Sequence, residues 1–247
     1  MPISKEILKF IYKITDNSIN TNLYPKLLSK NSIYSKNDYK ISDDYSYVFV
    51  HVPKTAGYTM NDVIHKINRL NGKKILRGGH NPVSILHSPE NKNYFTVLRH
   101  PVERVYSYYK YSLADKKQVY YYLAKKGLKV FLKNCPEAQN AYCQYYTGNL
   151  NKKINNSIFE EAVNNLKNFK DILLFESLGN EIKSFAKKFN LEIDIIPHLN
   201  ERKTTQISEE DIKLVSFYND YDIKLYEEFY SSSNPEEKKN ISSVTLL

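Results

Sequence analysis

Strands alternating with helices along the chain predict an α/β fold, a three-layer sandwich around a mostly parallel central sheet. Two observations support this prediction. Four short runs of β-branched and aromatic residues are separated by stretches with helical periodicity. The 247 residues suffice for one domain with a substantial core, and no apolar run approaches the ~20 residues that a membrane span needs.

Turn residues and periodicity place the individual elements. The predicted strands cover residues 47–52, 74–76, 94–98 and 171–175. The predicted helices cover residues 59–70, 102–114, 117–147, 159–169, 177–189 and 208–230. Pro101 suits a first helical turn, Gly148 is the predicted stop of the long Tyr-rich helix, and Ser177 is placed to cap the helix that follows it.

Both ends of the chain are predicted to lie outside the core. Residues 3–14 have apolar side chains at helical spacing and lysines on the opposite face. Such a basic amphipathic helix either covers a core or lies on a membrane surface. Residues 15–44 are a polar lead-in, and 231–247 are predicted as a loose tail. We therefore expect one domain over residues 1–247, with its core at about 45–230.

The composition limits the partners that need to be considered. The charge of +9 comes from 36 basic and 27 acidic residues, and only five of the basic ones are arginine. The lysines are spread over the whole chain, so background composition accounts for the charge and no nucleic-acid partner is expected. Attraction to another polyanion stays open as an alternative. With only two cysteines, the sequence predicts neither a disulfide framework nor a metal site. The lack of a signal-peptide core predicts a cytoplasmic location.

The turn after the first strand has the chemistry of an anion site. Ligands bind at the carboxyl ends of parallel strands, near helix N-termini that favour anions. This turn reads Pro53-Lys54-Thr55-Ala56-Gly57-Tyr58-Thr59. Backbone N–H groups and the helix dipole would hold a phosphate, and Lys54 would add a positive charge. The nucleoside-triphosphate pattern Gly-x-x-x-x-Gly-Lys-Ser/Thr is absent from the sequence.

Two further strand ends carry candidate residues. Arg99, with Ser107 on the following helix, would hold a second anion, while Arg104 is interpreted as a salt-bridge residue. After the second strand, Gly78-Gly79-His80 indicates backbone held close to a ligand and a general base of near-neutral pKa. His51 is interpreted as a packed core histidine.

These motifs resemble those of sulfotransferases. The run from His51 to Thr59 resembles their 5′-phosphosulfate loop, and the run from Leu98 to Ser107 resembles their 3′-phosphate motif. Both are most similar to the carbohydrate branch that includes heparan sulfate 2-O-sulfotransferase and its bacterial relatives. Gly79-His80 falls where that branch has its catalytic base, and Tyr58 departs from the Thr or Ser of the family.

The resemblance implies a P-loop-like sulfotransferase fold and a reaction. A sulfuryl group would pass from 3′-phosphoadenosine-5′-phosphosulfate (PAPS) to an acceptor hydroxyl, on a carbohydrate in this branch, and no metal would be needed. His80 would take the acceptor proton, and Lys54 would stabilise the leaving phosphate. The implied cofactor-binding residues are Lys54, Thr55, Ala56, Gly57, Tyr58 and Thr59 for the 5′-phosphate, Arg99 and Ser107 for the 3′-phosphate, and Arg202 or Lys203 from a C-terminal loop.

Two other function classes remain open at this point. A P-loop-type small-molecule kinase would require ATP with magnesium. A non-catalytic polyanion-binding module would bind in a salt-sensitive way without preferring any nucleotide. The acceptor itself is equally open, because a glycan, a lipid-linked sugar or a small metabolite would each offer a hydroxyl.

Overall fold

The structure, a computed structural model, describes residues 45–72, 74–77, 93–149, 153–194, 196 and 206–233. Over these residues the chain forms four strands and nine α-helices. The strands are β1 (Tyr47–Val50), β2 (Ile75–Arg77), β3 (Asn93–Leu98) and β4 (Asp171–Leu174). The helices are α1 (Gly57–Asn71), α2 (Pro101–Leu113), α3 (Tyr121–Lys125), α4 (Leu128–Asn134), α5 (Ala141–Thr147), α6 (Asn156–Lys167), α7 (Leu178–Lys187), α8 (Glu209–Tyr218) and α9 (Asp220–Ser233).

All four described strands are parallel, in the order β2-β1-β3-β4. The chain first places β2 on one side of β1 and then crosses to place β3 on the other side. The direction of winding therefore reverses between β1 and β3, and the carboxyl ends of these two strands border the crevice in which such sheets bind ligands. In the β1–β3 register Val50 lies opposite Thr96.

Helices cover both faces of the sheet, which confirms the predicted three-layer α/β sandwich. Because successive side chains of a strand point to opposite faces, Val48 and Val50 belong to one core cluster and Phe49 to another. The first cluster includes residues of α5, α6 and α9, and the second includes residues of α1 and α7. A third cluster joins α2, α3, α4 and α8 beside the sheet.

The prediction of one continuous helix over residues 117–147 is wrong. Gly127 and Asn140 have positive φ angles of 101° and 43°, which no α-helix accommodates. The segment is therefore divided into α3, α4, a 3₁₀ turn at Pro136–Ala138, and α5. Gly148 ends α5 in the left-handed conformation, with φ 72°, as its sequence position predicts.

The final predicted helix, over residues 208–230, is also two helices. Asn219 interrupts it with non-helical backbone angles, φ −133° and ψ 30°, and donates its side-chain N–H groups to the carbonyl oxygens of Ala138 and Val215. The second helix continues to Ser233, so the predicted start of a loose tail at Ser231 is wrong as well. Ser208 does cap the first of the two helices, by accepting from the N–H of Asp211.

Two helix starts differ from their predictions in position or in the way they are capped. Helix α6 begins three residues before its predicted start because the side chain of Asn155 accepts from the N–H of Ile158. Ser177 precedes α7 as predicted, but its hydroxyl contacts the carboxylate of Glu181 at 3.3 Å and does not bind a backbone N–H. The predicted N-terminal helix at residues 3–14 lies outside the described residues.

The N-terminus of α5 is held by the junction of α8 and α9. The carboxylate of Asp222 accepts from the N–H groups of Tyr142 and Cys143, at 2.9 and 3.1 Å. The Oδ1 atom of Asn219 accepts from the N–H of Asn140, whose own Oδ1 accepts from the N–H of Asp222. Side chains at the start of each helix thus accept from the free N–H groups of the other helix. These hydrogen bonds join two segments about eighty residues apart in sequence.

Loss of this cap should destabilise the whole domain. Asp222→Ala leaves two buried N–H groups without acceptors, and we expect it to lower the free energy of unfolding by about 2–4 kcal/mol. Asp220→Ala changes an exposed carboxylate in the same helical turn and should cost under about 1 kcal/mol. Urea denaturation of both variants measures the difference, and equal losses would contradict the assigned role of Asp222.

Candidate active site

The fold brings the first two predicted anion sites to neighbouring strand ends. Lys54 lies in the loop that follows β1, and Arg99 directly follows β3. Because β1 and β3 are hydrogen-bonded neighbours, both side chains leave the same edge of the sheet, at the point where the winding reverses. The sequence predicts Lys54 and Arg99 at strand ends, and the strand order makes those two ends adjacent.

The loop after β1 has an unusual backbone. Lys54 and Ala56 both have left-handed backbone angles, with φ of 73° and 60°. Non-glycine residues adopt this conformation at a cost, which the surrounding structure has to offset. Thr55, fully buried between them, donates its hydroxyl to the carbonyl oxygen of Val52 at 2.8 Å. The hydroxyl of Thr55 therefore holds the shape of the turn.

Helix α1 begins at this loop with its first N–H groups available. Ala56 occupies the N-cap position, and neither a capping side chain nor an acidic first-turn residue is present in this described part of the chain. The N–H groups of Gly57, Tyr58 and Thr59 precede the first intrahelical donor, the N–H of Met60, which donates to the Ala56 carbonyl oxygen at 3.0 Å. These three groups therefore form a positive terminus suited to an anion. Thr59 is buried, whereas the Tyr58 ring is 66% exposed.

Gly57 permits a close approach between the loop and His51. A Cβ atom at Gly57 would lie 1.9 Å from Cε1 of His51, a distance that no side chain tolerates. The His51 ring is buried directly after β1 and stacks on Phe49 at a centroid separation of 5.3 Å. The interpretation of His51 as a packed residue is confirmed, and the packing shows why position 57 needs glycine.

Lys54 reaches from the loop to α2. Its ammonium lies 4.3 Å from the ring centroid of Tyr111, in a cation–π contact. Tyr111 is four residues after Ser107 on the same helix, so the two side chains share a face of α2. Ser107 is half-buried there. The Tyr111 contact therefore brings Lys54 beside the helical face that carries the second predicted anion site.

Arg99 is held in place on several sides. Its backbone N–H donates to Tyr142 Oη at 2.9 Å, and the same hydroxyl donates to the Arg99 carbonyl oxygen at 2.7 Å. Its guanidinium lies 4.2 Å from the Phe175 ring centroid, and Nη2 contacts Glu103 Oε2 at 3.3 Å. The buried Nε has no acceptor among the described residues. Arg99 thus offers an oriented cation with an unused donor.

The start of α2 contributes little to this second site. Pro101 has no N–H, and the preceding N–H of His100 donates to Glu176 Oε1 at 2.8 Å. Burial raises the pKa of Glu176, while burial lowers the pKa of His100. The Glu176 carboxyl group already accepts from this N–H, so the His100 N–H is not available to an anion, and the Arg99 and Ser107 side chains stay the predicted ligands.

Arg104 differs from its interpretation as a salt-bridge residue. It is fully buried, and its Nη1 donates to the backbone carbonyl of Glu137 at 3.1 Å. Among the described residues it forms no ion pair within 4.0 Å, and its Nε and Nη2 atoms have no acceptor. Its positive charge lowers the pKa values of Asp222 and Glu137, although burial raises both by more.

The remaining predicted site residues lie outside the described part of the chain. These are His80, Arg202 and Lys203. Conversely, sequence reasoning assigned no role to Tyr111, Tyr142 or Phe175, which contact the candidate cations. The sequence signals for these residues were general: Tyr111 and Tyr142 lie in Tyr-rich stretches predicted to be helical, and Phe175 is the last residue of a predicted strand.

Neither a metal cluster nor a membrane span is found in the part of the chain that the structure describes. No group of three or more His, Cys, Asp or Glu residues there could hold a metal ion. No helix there is long and apolar enough to cross a membrane.

Comparison with known families identifies the family of the chain. A family model described as the sulfotransferase family matches residues 37–231. The chain belongs to the sulfotransferase family. A search of curated proteins gave no match. The matched range of this sulfotransferase includes Lys54, Arg99 and Ser107, and the four-stranded parallel sheet with its covering helices is consistent with the fold of the family.

Substitution of Gly57 should damage the loop of this sulfotransferase. In Gly57→Ala the new methyl group would overlap the His51 ring, and we expect a loss of about 1–3 kcal/mol in the free energy of unfolding. The matched control is Gly179→Ala in α7, where a Cβ meets no atom within 4 Å. That variant should be unchanged or more stable, by up to about 1 kcal/mol. Thermal denaturation compares them, and a neutral Gly57→Ala would refute the close packing.

Proposed function

We propose that this sulfotransferase moves a sulfuryl group from PAPS to a hydroxyl of a carbohydrate acceptor. The observation that supports it most is the pair of separate, preorganised cations, Lys54 and Arg99, at the ends of adjacent strands. A nucleotide with phosphates on both its 5′ and 3′ positions matches two such sites, whereas a nucleotide with only a 5′-phosphate uses one.

The residues present suit that nucleotide. At the loop after β1, the N–H groups at the start of α1 and the Lys54 ammonium would hold the 5′-phosphate. At the end of β3, the guanidinium of Arg99, whose side chain is 19% exposed, and the hydroxyl of Ser107 would hold the 3′-phosphate.

The chemistry follows from charge and position. PAPS supplies the sulfuryl group by in-line displacement, and adenosine 3′,5′-bisphosphate leaves. Lys54 would neutralise the negative charge that grows on the leaving 5′-phosphate, and the fixed N–H groups would do so without reorganisation. His80 would accept the proton of the acceptor hydroxyl, and Arg202 or Lys203 would close over the nucleotide. These last roles derive from the sequence resemblance.

The acceptor class is also proposed from resemblance, with support from the surface of the site. The Tyr58 ring, in the first turn of α1, is 66% exposed. Aromatic faces stack on sugar rings, and cations attract acidic glycans. We also retain a single domain over residues 1–247 and a cytoplasmic location as parts of the proposal.

The first test compares two nucleotides. Adenosine 3′,5′-bisphosphate should bind about tenfold to a hundredfold more tightly than AMP, because it adds charge-assisted hydrogen bonds to Arg99. Arg99→Ala should remove most of that preference while leaving AMP affinity nearly unchanged. Arg69→Ala removes the same charge at the exposed far end of α1 and should preserve the preference. Isothermal titration calorimetry measures all six affinities.

The outcomes of this comparison separate the function classes. Equal affinity of the wild-type protein for both nucleotides would contradict the assignment of Arg99 as the 3′-phosphate ligand. A polyanion-binding module would weaken alike in Arg99→Ala and Arg69→Ala, with a steep dependence on salt. A kinase would prefer ATP with magnesium over the bisphosphate.

The second test concerns the proton acceptor. His80→Ala should lower turnover about 10²–10⁴-fold and leave bisphosphate affinity unchanged, because His80 is assigned to the acceptor and to neither phosphate. The wild-type pH–rate profile should rise through a group near the usual histidine pKa of about 6.5, and this limb should vanish in His80→Ala.

The matched control for the second test is His65→Ala, which changes an exposed histidine on α1. It should retain both the wild-type rate and the rising limb of the pH profile. If His80→Ala also turned over at the wild-type rate, the base would have to be another residue.

A further inference from the structure

The backbone of Arg99 needs partners that the sheet does not supply. β3 ends at Leu98, and the polar backbone groups of the next residue have left the ladder of strand hydrogen bonds. The hydroxyl of Tyr142 accepts from the N–H of Arg99 at 2.9 Å and donates to its carbonyl oxygen at 2.7 Å. One phenol therefore satisfies both groups and fixes the backbone from which the Arg99 side chain departs.

Tyr142 is itself held rigidly. Its side chain is fully buried, and its ring stacks on Tyr146 with centroids 5.8 Å apart and planes 6° from parallel. The Arg104 guanidinium lies 5.5 Å from the Tyr142 ring centroid. The backbone N–H of Tyr142 is bound by Asp222. The ring cannot shift without moving α5, so the hydroxyl is a fixed point beside β3.

The hydroxyl of Tyr142 keeps the proton that its double role requires. Burial raises the pKa of Tyr142 well above the ordinary value, and the nearby charge of Arg104 lowers it by less. The neutral phenol can donate and accept at once, which a phenolate cannot do. Both hydrogen bonds to Arg99 therefore persist over the whole pH range in which the protein would work.

We propose that Tyr142 is a positioning residue that orients Arg99 and thereby sets the affinity for the 3′-phosphate. This inference rests on the proposed function, since it takes Arg99 as the 3′-phosphate ligand. Tyr142 acts through Arg99, and its hydroxyl is already engaged by the Arg99 backbone. Removing that hydroxyl would release the backbone at the end of β3, and the oriented guanidinium would sample other directions.

Tyr146 offers a matched control. It lies one helical turn further along α5 in the same ring stack, and it is equally buried. Its hydroxyl contacts Thr96 Oγ1 at 3.1 Å, and Thr96 in turn donates to the carbonyl oxygen of Val50 at 2.8 Å. Tyr146→Phe thus removes a buried hydroxyl of the same kind, at a place within β3 and away from Arg99.

The experiment measures nucleotide preference in both variants of the full chain. Tyr142→Phe should weaken adenosine 3′,5′-bisphosphate binding about tenfold and change AMP affinity less than about twofold. It should raise the KM for PAPS and leave kcat nearly unchanged, because the lost contact is the same in ground and transition states. Tyr146→Phe should lower thermal stability by a similar amount and keep the wild-type preference.

Each outcome has one meaning. If the wild-type protein itself shows no preference for the bisphosphate, the proposed function fails. If the wild-type preference exists and Tyr142→Phe retains it, the positioning role alone is overturned. An equal loss of preference in Tyr142→Phe and Tyr146→Phe also overturns it, because the effect would then be general loosening of the core.

A measurement on the wild-type protein covers the case in which Tyr142→Phe does not fold. Binding and local order are reciprocally linked, so a ligand that depends on an oriented Arg99 must also stabilise it. Amide hydrogen exchange of the peptide containing Arg99 should be slowed more by saturating bisphosphate than by saturating AMP. Equal protection by the two nucleotides, in a protein that binds the bisphosphate more tightly than AMP, would contradict the positioning role.

Discussion

Two hydrogen bonds from the first turn of α5 to the Asp222 carboxylate hold the helix whose tyrosines contact β3 and Arg99. Helix α5 has only seven residues, too few to be stable alone, and it carries both stacked tyrosines, Tyr142 and Tyr146. The carboxylate from α9 satisfies its free N–H groups, and the tyrosines then reach β3. Helix α9 thereby helps to fix the position of the backbone at the end of β3.

Polar groups in the interior are held by hydrogen bonds and nearby charges, whereas N–H groups at the end of β1 are left without a side-chain partner. In the interior, burial raises the pKa values of the Asp222 and Glu137 carboxyl groups, and the buried Arg104 charge and hydrogen bonds oppose that shift. Such groups are costly to bury, and they fix the arrangement of the elements that they join. At the end of β1, by contrast, N–H donors remain available, because the start of α1 lacks a side-chain cap.

Preorganisation accounts for the strained loop after β1. Left-handed angles at the non-glycine residues Lys54 and Ala56 cost free energy. Burial of Thr55 and the Lys54–Tyr111 contact hold that conformation. A phosphate that enters such a loop meets donors already in position, so little binding energy is lost to reorganisation.

Periodicity and turn residues are local signals, and they were enough to predict the strands, the fold class and the positions of Lys54 and Arg99 at strand ends. The sequence did not predict the breaks at Asn140 and Asn219, which arise from side chains bonded across about eighty residues. It also did not predict that Tyr142 holds Arg99 from 43 residues away, or that Lys54 meets Tyr111. These contacts join segments that the local pattern describes independently. They form because α5 packs against β3 and the loop after β1 lies near α2.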